Sequence, residues 1–155
     1  MNSTLPAELA EALNESAIGR GFAAQTGCRI VAWRDGCAEL ELDIEPRHLN
    51  RGGTVHGGVL ATLIDVTGAL AGLYTGSPEH PRKAVTLSLN ISYTGQVSAG
   101  TLHARGKVQS AGRSVFFSRT EVFDDEGHPI AHGDAVNRYR RGSEGASSHP
   151  SSLKE

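Results

Sequence analysis

The chain has 155 residues, 38% of them hydrophobic, and a formal net charge of −2. That length supports one core rather than two, and 15 Lys and Arg against 17 Asp and Glu exclude the strongly basic face that nucleic-acid backbones require. The N-terminal MNSTLPAELAEALNE lacks the apolar stretch of a signal peptide, no segment approaches the roughly 20 apolar residues of a membrane span, and Cys28 and Cys37 form no CxxC pair, so a cytoplasmic protein with reduced thiols is expected.

In chain order, LPAELAEALNES predicts a short helix with Thr4 as its cap and Pro6 in its first turn. CRIVAW and CAELELDI alternate as strands about the turn Arg34–Gly36. The turn-rich EPRHLNRGGTV leads into a long apolar helix over 57–74, which GSPEHPR ends. Four strands follow, KAVTLSLNISYTG, GTLHARGKVQS, RSVFFSRTEVFD and HPIAHGDAVNRYR, with the separators VSAG, AG and DEG suiting a meander. The Ser/Gly-rich GSEGASSHPSSLKE reads as a disordered tail. The chain thus divides into an N-terminal helical segment (1–19), one domain (20–141) and a tail (142–155). The fold class is α+β, an antiparallel sheet wrapped on one central helix.

The long helix carries an oddity. At about 100° per residue, Leu60, Leu63, Ile64, Thr67, Leu70, Ala71 and Tyr74 share one side. Asp65, the helix's single carboxylate, points nearly opposite among Ala61, Thr62, Gly68, Ala69 and Gly72. A solvated face would carry Lys, Glu or Gln, so this face is expected to be covered, by a second subunit. Two glycines each cost about 1 kcal/mol of helix propensity against Ala, which packing or access must offset. Asp65 is either a structural acid paired with an Arg or an amide, or a functional one.

The start of the helix favours function. The HGG at 56–58 sits where first-turn amides have no intrahelical acceptor, a site for an anion or a developing oxyanion. An oxyanion donor and a carboxylate are what acyl-transfer hydrolysis needs. Yet Gly57 and Asp65 lie eight residues apart, about 12 Å of helical rise, and one reacting carbonyl cannot meet both. A dimer in which each subunit supplies one group to each site resolves the distance.

The pattern N-x5-HGG-x6-D, formed by Asn50, His56, Gly57, Gly58 and Asp65, resembles that of the PaaI-type (phenylacetate-pathway) thioesterases of the hotdog-fold, 4-hydroxybenzoyl-CoA thioesterase-like superfamily. The resemblance spans about residues 20–140. It implies a curved sheet around a central helix, a homodimer or dimer of dimers, and hydrolysis of an acyl-CoA thioester. By the same resemblance Asp65 is the catalytic carboxylate, the Gly57 amide binds the thioester oxygen, and His56 and Asn50 order the loop, the thioester or the lytic water. Thr86 in AVTLSLNISY matches a water-holding Ser or Thr. Gly58 and the turn Gly112, Arg113 and Ser114 in AGRSVFF match contacts to CoA. A thioester is already activated, so no cofactor or metal is expected. Asp65 can act as general base or as nucleophile through a mixed anhydride.

Other candidates carry less. His128 and His132, in GHPIAH, read as strand residues too far apart for a metal pair, and His103 as an ordinary strand histidine. Trp33, Phe116 and Phe117 read as core. Ser88, Ser114 and Ser118 lack a GxSxG elbow, and RYRR at 138–141 is a solvated strand end rather than a nucleic-acid patch. Two rival functions remain, a non-catalytic acyl-CoA-binding protein and a hydratase. The first could dispense with Asp65, and the second would want a His on the helix after Gly57. The acyl group is not readable from these residues.

Overall fold

The computed structural model describes residues 5–19, 21–76 and 82–143, so Thr4 and most of the expected tail lie outside it. Helix α1 (Ala7–Leu13), with Pro6 at its N-cap rather than inside its first turn, runs into a single π-helical turn, Asn14–Ile18, and the short α2 (Phe22–Thr26) follows. Next come β1 (Arg29–Arg34), β2 (Cys37–Asp43), a 3-10 turn at Pro46–His48, and α3 (Gly57–Ala71). Then β3 (Ala84–Tyr93), β4 (Thr101–Ala111), β5 (Val115–Phe123) and β6 (Pro129–Tyr139) complete the chain. The six strands form one antiparallel sheet in the order β1-β2-β4-β5-β6-β3, with α3 packed against it. This is the expected α+β architecture, a hotdog.

The apolar stripe of α3 provides the seat. Leu60, Leu63, Ile64, Thr67, Leu70 and Ala71 are all buried. They face inward-pointing residues of the strands, where alternation buries Ala38, Leu40 and Leu42 on β2 and Leu102 and Ala104 on β4. The helix lies so close to β4 that a Cβ on Gly106 would come within 2.8 Å of the Thr67 carbonyl oxygen. The Trp33 indole donates to the Leu70 carbonyl at 2.7 Å, which satisfies its N–H in the core.

Several expectations are corrected. The strands after α3 are not one meander, because β3 lies on the far edge beside β6 and the chain crosses from there to β4 beside β2. The connection cannot fold back as a tight hairpin, since other elements hold its backbone. Thr94 and Gly95 donate to the Ile130 carbonyl, Val55 to that of Val97, and Ile44 to that of Gly100. The central helix stops at Ala71, so Tyr74 falls beyond it. Phe117 is outward-facing and 48% exposed, while its neighbour Phe116 is fully buried, as adjacent residues of a strand must be. His128 sits in the β5–β6 turn, with its Nδ1 3.1 Å from an Asp124 carboxylate oxygen. The short α2 and the 3-10 turn carry too few residues for periodicity to reveal them.

Gly68 and Gly72 do not belong to an open helix face. A Cβ on Gly68 would meet the Ser118 hydroxyl at 2.8 Å, and one on Gly72 would lie 2.3 Å from the Phe116 ring. Both are small because the helix presses on β5. We therefore expect Gly72→Ala to lower stability by about 1–3 kcal/mol, the usual cost of overpacking. A midpoint in chemical denaturation equal to that of the parent chain would contradict it.

The two edges of the sheet differ. At β1, the side chain of Asn14 receives the Ile30 amide at 2.7 Å and donates to the Ile30 carbonyl at 3.4 Å. At Ile30 the π-helical turn thus supplies the pairing that a neighbouring strand would make, and covers part of that edge. Among the described residues no element pairs with the outer edge of β3, which stays open.

Candidate active site

Asn50 organises the loop before α3. Its side-chain oxygen accepts from the amides of Gly52 at 2.8 Å and Thr54 at 3.3 Å, and its nitrogen donates to the Thr54 hydroxyl at 3.1 Å. Gly53 completes the turn with φ +80°, a left-handed conformation suited to glycine. His56 is the N-cap of α3, and its Nδ1 accepts from the Gly58 amide at 2.8 Å. At neutral charge the ring proton is therefore on Nε2. The Val59 amide is used by the His56 carbonyl at 2.9 Å. That leaves the Gly57 amide, which has no acceptor among the described residues, at the positive end of the helix.

The Gly57 carbonyl accepts the Tyr93 hydroxyl at 3.2 Å. Tyr93 closes β3 and borders an open cleft of about 460 Å³, shared with Asn50, Thr54, Leu60 and residues 94–96. It was not anticipated from the sequence, where a Tyr at a strand end carries no signal of its own.

Asp65 is half-buried on α3, flanked by the partly exposed Ala61, Thr62 and Ala69. Among the described residues its partner is neither an Arg nor a backbone amide. The Thr86 hydroxyl on β3 lies 2.8 Å from Asp65 Oδ1 and 3.2 Å from Oδ1 of Asn137 on β6. Residues 21 positions apart in sequence are joined because β3 runs alongside α3. The turn Gly112–Ser114 joins β4 to β5 and is exposed. The Gly112 amide donates to the Val115 carbonyl at 2.8 Å, and the Ser114 carbonyl accepts from Tyr139 at 2.9 Å.

The anticipated residues thus fall into three groups within one chain. Asn50, His56, Gly57 and Gly58 gather at the N-terminus of α3, and Asp65 and Thr86 meet halfway along it. The turn with Arg113 lies near the other end, where Phe116 packs on Gly72 and the Tyr139 hydroxyl donates to the Gly72 carbonyl at 3.0 Å. Burial raises the Tyr139 phenol above its usual range, although the Arg82 guanidinium stacked 3.4 Å over its ring opposes this. No group of His, Cys, Asp and Glu among the described residues could hold a metal ion, and no described helix is long and apolar enough to cross a membrane.

With a half-buried carboxylate and a free helix-terminal amide in place, the chain belongs to the thioesterase superfamily, whose family model matches residues 52–131. More particularly, a Pseudomonas aeruginosa protein provisionally named an esterase is 32% identical over 100 residues, 64% of this chain and 72% of that one. The E. coli PaaI protein from the phenylacetic acid degradation operon shares the fold, with a TM-score of 0.71 at 20% identity over 85% of this chain and 96% of that one. So does a thioesterase-type protein of Streptococcus pneumoniae solved with coenzyme A, with a TM-score of 0.65 at 23% identity over 73% and 85%.

Proposed function

We propose that this protein is a PaaI-type thioesterase that hydrolyses an acyl-CoA to free acid and CoA. Asp65 serves as general base or nucleophile and the Gly57 amide as oxyanion donor, the two coming from different subunits of a homodimer. The observation that carries the reading is the Asp65–Thr86 pair, a lone helix carboxylate held by a hydroxyl and by no cation among the described residues. A salt-bridged structural acid would have been neutralised. This one keeps an oxygen for a water or an acyl carbon.

In the general-base route, Asp65 takes a proton as a water oxygen bonds to the thioester carbon. Negative charge moves to the carbonyl oxygen, where a free N–H at a helix N-terminus stabilises it. Collapse breaks the C–S bond, and the proton passes to the departing thiolate. The open edge of β3 supports a partner whose α3 lies beside this one, since β3 carries Thr86 and Tyr93 and flanks both groups of site residues. His56 and Asn50 preorganise the donor loop, and Gly58, Gly112, Arg113 and Ser114 would meet the CoA portion. The likeness to a protein solved with coenzyme A agrees with that substrate class.

The test is thiol release over a panel of aryl and aliphatic acyl-CoAs, beside hydration of an enoyl-CoA. We expect multiple-turnover thiol release from at least one acyl-CoA and no hydration. Tight acyl-CoA binding without release would overturn the enzymatic reading.

A further inference from the structure

Asn137 is fully buried on β6, where it is paired in register with both Thr86 on β3 and Phe116 on β5. Its Nδ2 has no hydrogen-bond partner among the described residues. An unpaired amide N–H₂ in a core costs about 1–3 kcal/mol, so an orphan here calls for an explanation. The chemistry of its neighbours supplies one.

Thr86 carries a single hydroxyl proton and sits between two oxygens, Asp65 Oδ1 at 2.8 Å and Asn137 Oδ1 at 3.2 Å. An ionised carboxylate can only accept, so the proton belongs to the Asp65 contact. The hydroxyl oxygen then offers lone pairs to Asn137, and an amide oxygen facing them would repel. Rotating the amide by half a turn exchanges oxygen and nitrogen at almost no steric cost. It turns the 3.2 Å contact into a donated bond and gives the nitrogen its acceptor, while the amide oxygen takes the position that has no partner among the described residues.

We propose that Asn137 is a positioning residue, whose buried N–H₂ donates to the Thr86 hydroxyl and so commits that hydroxyl to donate to Asp65. The proposal rests on the reading of Asp65 as the catalytic carboxylate. The relay has a direction, and only one suits that role. With the amide nitrogen toward Thr86, Asp65 receives a bond at Oδ1 and keeps its other oxygen free to accept. With the amide oxygen toward Thr86, the hydroxyl proton goes to Asn137 and nothing holds the Asp65 carboxylate unless it carries a proton itself. Because β6 is an interior strand and Asn137 lies in its core-facing row, the amide cannot drift. The Thr86 oxygen is held from behind, and one carboxylate oxygen is fixed while the other stays available to the substrate.

Two measurements test this. In the parent protein, NMR should show cross-relaxation from the Asn137 side-chain N–H₂ protons to the Thr86 side chain. Protons directed away from Thr86 would overturn the relay without any mutation. Separately, Asn137→Leu keeps the shape and removes both polar atoms. We expect kcat to fall about ten- to hundredfold, as for a misplaced catalytic group, with KM unchanged and the thermal midpoint equal or higher. In a Thr86→Val background the same change should cost nothing more. A merely structural Asn137 would instead lower the midpoint and leave kcat alone, and its effect would add to that of Thr86→Val. If Asp65→Asn abolishes turnover while Asn137→Leu leaves kcat intact, the relay fails and the assignment of Asp65 stands. If Asp65→Asn is active, the assignment itself fails.

Discussion

Asp65→Asn is expected to reduce kcat by about 10²–10⁴, the range that general acid–base catalysis contributes, with acyl-CoA binding preserved. The substitution suits the site because the amide keeps a carbonyl oxygen at the position of Oδ1, so the 2.8 Å bond from Thr86 survives. What disappears is the ability to take a proton or to attack carbon. The side chain is half-buried on a helix seated by seven buried residues, so the thermal midpoint should hardly move. Steady-state thiol release beside equilibrium binding separates the effects. Near-normal kcat would remove Asp65 from the mechanism, whereas lost binding would make it a substrate contact. Single turnover in ¹⁸O-water divides the two chemical routes, because label in the Asp65 carboxylate marks an anhydride and its absence marks a general base.

Most of the proposed site is legible in the sequence because its residues cluster in one turn and one helix. HGG and Asp65 lie within ten positions, and helical periodicity alone places the carboxylate away from the core stripe. Thr86 was accessible through resemblance only. Its meeting with Asp65 depends on β3 running along α3, and no local pattern shows which strand takes that edge. The same blindness produced the false meander, since pairing partners are set by tertiary contacts rather than by loop composition. Asn137 was hidden for another reason. On β6 the core-facing row reads Gly133, Ala135, Asn137, while Val136 points outward and is only partly buried. Tight approach of α3 forces small residues inward, where a Cβ on Gly133 would meet Ile64 at 2.8 Å. Hydrophobic alternation is thereby inverted, and a buried amide looks like a surface residue. Gly68 and Gly72 misled in the same way, since their smallness reflects the pressure of β5.

The shared site leads to the second large effect, which is a recovery. Gly57→Pro deletes the proposed oxyanion donor with little disturbance to the chain. Proline is favoured at the first position of a helix, and the Gly57 amide has no internal bond to lose among the described residues. The residue before a proline must be extended, as His56 already is at φ −65° and ψ 137°. The added Cβ would touch the Tyr93 ring at 3.3–3.5 Å, and that ring, 54% exposed, can yield. Alone, this variant should lose about 10²–10³ in kcat, and Asp65→Asn should be as poor. Refolded together in equal amounts, about half of the dimers are mixed. Each mixed dimer pairs an intact Asp65 from one subunit with an intact Gly57 from the other at one of its two sites. Activity should then return to about a quarter of the parent value, by the same statistics. A site built within one chain gives no recovery at any ratio, because every subunit would still lack one group. The 12 Å that separates the two groups along α3, estimated from helical rise, makes recovery the expected result.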